Sequence, residues 1–401
     1  MAHTEHASSK NGLAGLITFN KDIPAYPYII VGLILLGIGG IGALLALIKG
    51  HAAVYNVNRE VSWGLLIATY AYFVITSTGL AFIGGLAHAF GYEKYAKVSK
   101  RLVVMAVAIL LAGFTQIGLE LGNPLNMIWM FITPNFRAPI FWMGIFYSIE
   151  LVILFIELYL VFIPNKASHK TSAIVGFFAL LIGTIATSNL GYVFGSLNAR
   201  PFFHGIYFST FLVISGIAAG AAMLILVHNI IYKGRIPSEL NDTISALAKL
   251  MGLGIGVMIF LYFWKIMSSL YTEPQGAYEA VMAMLTGQLA PNFWIGEVLL
   301  AVVIPLLIIF TNSKNPAMLK YASISFMIGL FFTRYDFVVA GQLPLMREPL
   351  PGSGVIANAS RLAIYSPSIV EWMVFCLGWG VFLTLYFAAE KFLDLNTQDH
   401  H

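Results

Sequence analysis

Glu150 and Glu157 stand seven residues apart in the run Pro139–Ile163, so they share one face of any helix that run forms. No cation lies near them in that run, and carboxyls held in apolar surroundings are candidates for a protonatable relay. Five more ionisable residues, Lys265, Glu297, Arg334, Asp336 and Glu371, lie in later apolar runs. If the runs alternate in direction, all five fall in the outer half of one slab. An isolated charge at such depth costs at least about 2.5–3.5 kcal/mol, so they must pair or face water. Two readings stay open: a structural ion-pair network tying the last four helices together, or a proton path, ion path or ligand site.

A second constellation gathers where the third to sixth runs end. It comprises Glu120, Asn123, Arg137 and Tyr147, then Asn198, Arg200 and His204, with Trp129, Trp142, Phe202 and Phe203 around them. Aromatic walls with a few donors and acceptors suit the polar head of an amphipathic molecule. The same residues also suit an aromatic belt with loop caps.

The elements that must position these side chains are membrane helices. Hydrophobic residues make up 59% and charged residues 10% of the 401, and mean hydropathy is +0.83. A soluble domain carries roughly 25% charge, which excludes a core packed in water. Runs of about twenty apolar residues, enough to cross a bilayer, occur at Tyr28–Lys49, Val61–Phe90, Leu102–Leu121, Pro139–Ile163, Thr171–Leu197, His204–Tyr232, Thr243–Leu270, Phe293–Asn312, Ala317–Gly341 and Ser368–Leu393. The expected fold is therefore all-α and integral to the membrane, with about ten transmembrane helices. The third and eighth runs are the shortest.

Charge sets the orientation. With a cytoplasmic N-terminus, most of the 22 Lys and Arg residues, among them Lys10, Lys21, Lys94, Lys97, Arg101, Lys166 and Lys391, fall on the cytoplasmic side, while Arg59, Arg137, Arg200 and Arg347 fall outside. Both termini are expected inside, and the polar stretch before Tyr28 lacks the apolar core of a signal peptide. Gly216 and Gly220 in the sixth run, like Gly252 and Gly256 in the seventh, have the spacing that lets helices touch in lipid. Pro305 is expected to kink the eighth.

One cysteine, Cys376, builds neither an iron–sulfur cluster nor a thiolate zinc site. His88 and His228 approach the same membrane face, as a haem pair would. Both also sit near helix ends, where histidine is an ordinary interfacial residue, so neither haem nor a metal is expected. No phosphate-binding glycine motif follows a strand, and no nucleic-acid partner is expected.

Several stretches carry a family resemblance. Glu120-Leu121-Gly122-Asn123-Pro124, the Asn198-Ala199-Arg200-Pro201 loop before a small-residue helix, and Arg334-Tyr335-Asp336-Phe337-Val338-Val339-Ala340-Gly341-Gln342 resemble the polytopic NrfD/PsrC membrane subunits. Phe293-Trp294-Ile295-Gly296-Glu297 with the later Pro305 is similar to the ten-helix members, such as HybB of membrane-bound hydrogenase and, more closely, DsrP of the sulfate-reduction membrane complex. The likeness covers roughly residues 25–395. Many relatives have Asp-Leu-Gly-Arg-Pro where this chain has Glu120 to Pro124, so Asn123 stands where they have an arginine, and Arg137 is the candidate to supply that charge.

The resemblance implies two four-helix bundles, residues 61–197 and 204–341, inside a transmembrane domain of residues 28–395. Helices 28–49 and 368–393 flank them, and tails 1–27 and 396–401 lie outside the domain. It implies a multi-pass protein of a prokaryotic cytoplasmic membrane that binds a quinone, usually menaquinone. Electrons pass to or from a ferredoxin-like iron–sulfur subunit at the outer face, and from there to cytochrome or catalytic subunits. It places Glu120, Asn123, Tyr147, Arg200 and His204 at the quinone, with Glu120 or His204 as proton acceptor. Glu150 and Glu157 then connect the site to the cytoplasm for proton translocation. Since the chain has no redox metal motif of its own, it is catalytically incomplete alone. The rivals are a secondary transporter using Lys265, Glu297, Arg334 and Asp336, and a passive membrane anchor.

Overall fold

The computed structural model describes residues 20, 23–162, 169–346 and 361–395. Most of the N-terminal tail, the C-terminal tail, and Lys10, Lys21, Lys166 and Arg347 of the charge count lie outside the described residues. Among the described residues, ten helices are long and apolar enough to span a bilayer. They are α1 (Ala25–Lys49), α2 (Leu65–His88), α3 (Ser99–Glu120), α4 (Pro139–Phe162), α5 (His169–Gly195), α6 (Tyr207–Ile231), α7 (Asn241–Thr272), α8 (Asn292–Asn312), α9 (Pro316–Ala340) and α10 (Ile369–Phe392). The described residues contain no strand, only an isolated bridge between Pro344 and Leu362.

Local chemistry sets several helix ends. Gly50 closes α1 at φ 82°, a conformation that side chains resist. At α9 the Asn315 side chain accepts from Ala317 N, and Pro316 opens the first turn. A capping box of Ser368 and Glu371 starts α10.

Packing follows the small residues. Helix α2 is buried on nearly every side, packed by α3, α5, α6 and α9. Contacts run from α2 to α3, α3 to α4, α4 to α5 and α5 to α2, and likewise around α6, α7, α8 and α9. Helices α1 and α10 pair closely, and α10 also lies on α3. Where the two rings meet, Gly79 of α2 abuts the backbone of Gly216 and Gly220 on α6, leaving no room for a Cβ. With no hydrophobic drive between helices in lipid, such backbone contact supplies the dispersion that holds them.

The other glycine pair behaves differently. Gly252 only touches Ile309, and Gly256 faces open space. Both line a shallow groove of about 600 Å³ between α7 and α8. Spacing alone does not say whether a partner helix is there. Helix α8 is also not a simple kinked helix: Asn292–Val303 is wound as a π-helix, and Pro305 lies in the first turn of the α-helical remainder.

Candidate functional site

Two polar regions emerge. The first lies at the C-terminal ends of α3 and α5. Arg200, in the loop after α5, is committed to protein. Its Nη1 donates to the carbonyls of Gln342 (2.9 Å) and Pro344 (2.7 Å). Its Nη2 donates to the Glu60 carbonyl (2.9 Å) and carboxylate (3.2 Å). Burial pushes the Arg200 guanidinium down from its ordinary value, opposed by the Glu60 carboxylate. Gln342 accepts from Trp63 N at 3.0 Å and donates to Trp63 O and Val338 O at 2.8 and 2.7 Å. Arg200 and Gln342 thus bind the α1–α2 linker to the end of α9, joining both helix rings at one spot.

Glu120, the last residue of α3, is placed differently. A short helix, His51–Val54, and Tyr55 after it pack on this end: His51 Nδ1 lies 3.1 Å from the Glu120 carbonyl, and Tyr55 OH donates to Leu119 O at 3.0 Å. A carbonyl only accepts, so Nδ1 carries the hydrogen of this contact, which leaves Nε2 on the far edge of the ring. His51 Nε2 and Glu120 Oε2 are both shielded from solvent and without a partner. Burial, then the Glu120 and Glu371 carboxylates, hold the Tyr55 phenol above its usual value, so it stays a donor. Asn123, Arg137 and His204 are exposed, and Trp142 spends its Nε1 on Phe136 O at 2.9 Å.

The second region runs through the interior. Tyr147 is 1% exposed; its hydroxyl meets Thr187 Oγ1 at 3.2 Å and its ring meets Tyr70 edge-on. One turn on, Glu150 accepts from Thr78 Oγ1 at 3.1 Å. Two turns further along α4, Glu157 Oε1 and Oε2 lack hydrogen bonds, and His88 Nε2 is 3.8 Å away. The sequence shows no cation beside Glu157; the structure supplies this imidazole from α2.

The five deep charges divide among separate surroundings. Arg334, fully buried, donates from Nη2 to Ser215 Oγ at 2.6 Å, while Nε and Nη1 lack partners. It lies within electrostatic reach of Tyr147, Tyr72, Glu297 and Tyr207. Lys265 Nζ sits 5.1–5.5 Å from the rings of Phe202, Tyr207 and Phe208. Glu297 and Asp336 face one another across α8 and α9. Glu371 takes Asn56 N at 3.0 Å, Ser368 N at 2.8 Å and Tyr365 OH at 2.5 Å. Among the described residues, no ion pair within 4.0 Å joins any two of these five.

Sequence reasoning missed His51, Glu60 and the pair Arg101–Glu390, whose Nε and Oε1 are 2.8 Å apart in a fully shielded site. His51 and Glu60 lie in the α1–α2 linker, where no periodicity ranks residues. Arg101 falls among the basic residues between two apolar runs and reads as a loop charge, yet α3 begins at Ser99 and buries it.

Comparison with known proteins gives a consistent picture. Residues 53–345 match the family described as polysulphide reductase, NrfD. The chain is 23% identical over 352 residues to a selenate reductase subunit of Mesobacillus selenatarsenatis, an alignment covering 78% of this chain and 80% of that one. It is also 23% identical over 357 residues to the Hdr-like menaquinol oxidoreductase integral membrane subunit of Archaeoglobus fulgidus, covering 86% and 88%.

Proposed function

The chain belongs to the NrfD family of membrane subunits of quinone and quinol oxidoreductase complexes, and from that premise we propose that it is the menaquinone-reactive subunit of such a complex. The quinone head sits at the outer end of α3, and the partner docked on that face is an iron–sulfur protein. Both termini face the cytoplasm. The menaquinol in the Archaeoglobus relative's name supports the choice of quinone.

One observation carries the placement: Glu120 Oε2 and His51 Nε2, on adjoining elements, are both withdrawn from water without a partner. Leaving two such groups unpaired costs roughly 1–3 kcal/mol each, which a ligand's hydroxyls would recover. A quinone supplies two-electron, two-proton chemistry. Glu120 and His51 are proton acceptors at its rim, Tyr55 fixes the end of α3, and Arg200 holds the loop before His204 in place. Asn123 and His204 lie on the exposed side of this end, where a docked subunit covers them.

From there Tyr147, Glu150 and Glu157 lead along α4 toward His88 and the cytoplasm, a line for proton movement. The placement is tested by quinol-linked electron transfer in the purified complex. Glu120→Gln lowers kcat by roughly 10²–10⁴, the usual contribution of a general acid or base. Unchanged turnover would remove the site from α3.

A further inference from the structure

Helices α7 and α8 draw apart where glycine leaves α7 without side chains. The groove between them holds about 600 Å³, within the roughly 300–1,000 Å³ of small-molecule sites. Its floor is Gly252, whose missing Cβ would touch only Ile309, and Gly256, which faces open space. Its rims are apolar and turned outward: Leu253, Phe260 and Phe310 are each more than half exposed. Polarity is confined to one end. The two helices are successive spans and run in opposite directions. Because Gly252 lies at Ile309, Lys249 one turn before it and Ser313 one turn past Ile309 come together at that end. Among the described residues, no acid lines the groove and none pairs with Lys249.

We propose that this groove is a site for an anionic phospholipid, with one acyl chain along Gly252 and Gly256 and the phosphate at Lys249 and Ser313. Length supports a chain. From Lys249 to Phe260 the groove follows α7 for about 16 Å at 1.5 Å per residue. One leaflet of hydrocarbon is about 15 Å, half of the core, so a chain entering at Lys249 ends near the midplane. Section supports a chain over a helix. Spread over that length, the volume gives a section of about 40 Å², less than half that of a helix about 10–12 Å across.

Charge supports phosphate. Lys249 and Lys314, the residue after Ser313, are both exposed, and a lysine stem extends along apolar surface to bring its ammonium to the headgroups. The nearest acid on α7, Asp242, lies two turns earlier, outside the groove. This end is therefore net positive. Lipid in the groove completes the packing of α7 on α8 where the glycines leave a gap. The site stands whether or not a quinone binds at α3.

The test is native mass spectrometry of the purified complex after equilibration with phosphatidylglycerol and phosphatidylcholine of the same acyl chains. The expected result is preferential retention of phosphatidylglycerol by about fivefold, the worth of one lysine beside an anionic headgroup. Lys249→Gln brings the two lipids to parity. Gly256→Leu, whose side chain enters open space, fills the groove and removes both. Equal retention by the unaltered protein overturns the proposal, as does undiminished retention in Gly256→Leu. Displacement of the phospholipid by excess menaquinone assigns the groove to a quinone, and cross-linking of Leu253→Cys to another subunit assigns it to a protein helix; either result overturns the proposal. Should Gly256→Leu fail to fold, an unchanged lipid preference in Lys249→Gln does the same.

Discussion

Glu120 and Glu371 lie within electrostatic reach of one another at the same membrane face, but their surroundings differ in kind. Glu371 is saturated: two backbone amides and the Tyr365 hydroxyl occupy its oxygens, and it starts α10 as a helix cap. Glu120 ends α3 with Oε2 unpartnered, beside an imidazole nitrogen, His51 Nε2, that is equally unpartnered. The lesson concerns donors, not depth. A carboxylate whose hydrogen bonds close within the protein builds structure, while one left open at a shielded surface is available to a ligand. Glu390 accepts from Arg101 Nε and Tyr386 OH on Oε1 while its Oε2 has no partner, and the buried ion pair with Arg101 is what sets it apart from Glu120.

This contrast breaks if the two kinds of carboxylate respond alike to substitution. The largest separation is between Glu120→Gln and the carboxylates that hold structure: turnover falls by roughly 10²–10⁴ while thermal unfolding of the complex stays where it was. Next, Arg101→Ala leaves the buried Glu390 carboxylate without its cation, and a loss of about 3–5 kcal/mol in denaturant or thermal unfolding is expected. Turnover per folded molecule is preserved. Glu371→Gln costs about 1.5–3 kcal/mol, the worth of hydrogen bonds to a charged group, again with turnover retained. The smallest effect on turnover belongs to Glu150→Gln with Glu157→Gln. Quinol oxidation continues, and acidification measured in sealed vesicles is what disappears. Persistence of acidification in that double variant removes the relay along α4.

The helices were legible because a bilayer demands long apolar runs, and each of the ten runs in the sequence became a spanning helix. The shorter third and eighth runs still form helices long enough to cross, at 22 and 21 residues. Details that depend on which neighbour a face meets were not legible. Gly216 and Gly220 met Gly79, whereas Gly256 met open space, and both pairs look alike in one dimension. The π-winding of α8 has no periodic signature that a proline kink would not share.

Among the site residues, Glu120 could be picked out as a carboxylate at a helix end. His51 could not, because its relevance comes from folding back onto α3 across 69 positions of sequence. Arg200 shows the opposite limit. Its type and loop suggest a ligand contact, but both of its terminal nitrogens are taken by Glu60, Gln342 and Pro344.

The central claim is that the quinone head rests between His51 and Glu120. A photoactivatable menaquinone analogue, cross-linked in the purified complex and mapped by peptide mass spectrometry, tests it directly. Label is expected on the segments around His51–Tyr55 and Leu119–Asn123, and competed away by excess menaquinone. Label confined to the α7–α8 groove, or spread evenly over lipid-facing helices without competition, contradicts it.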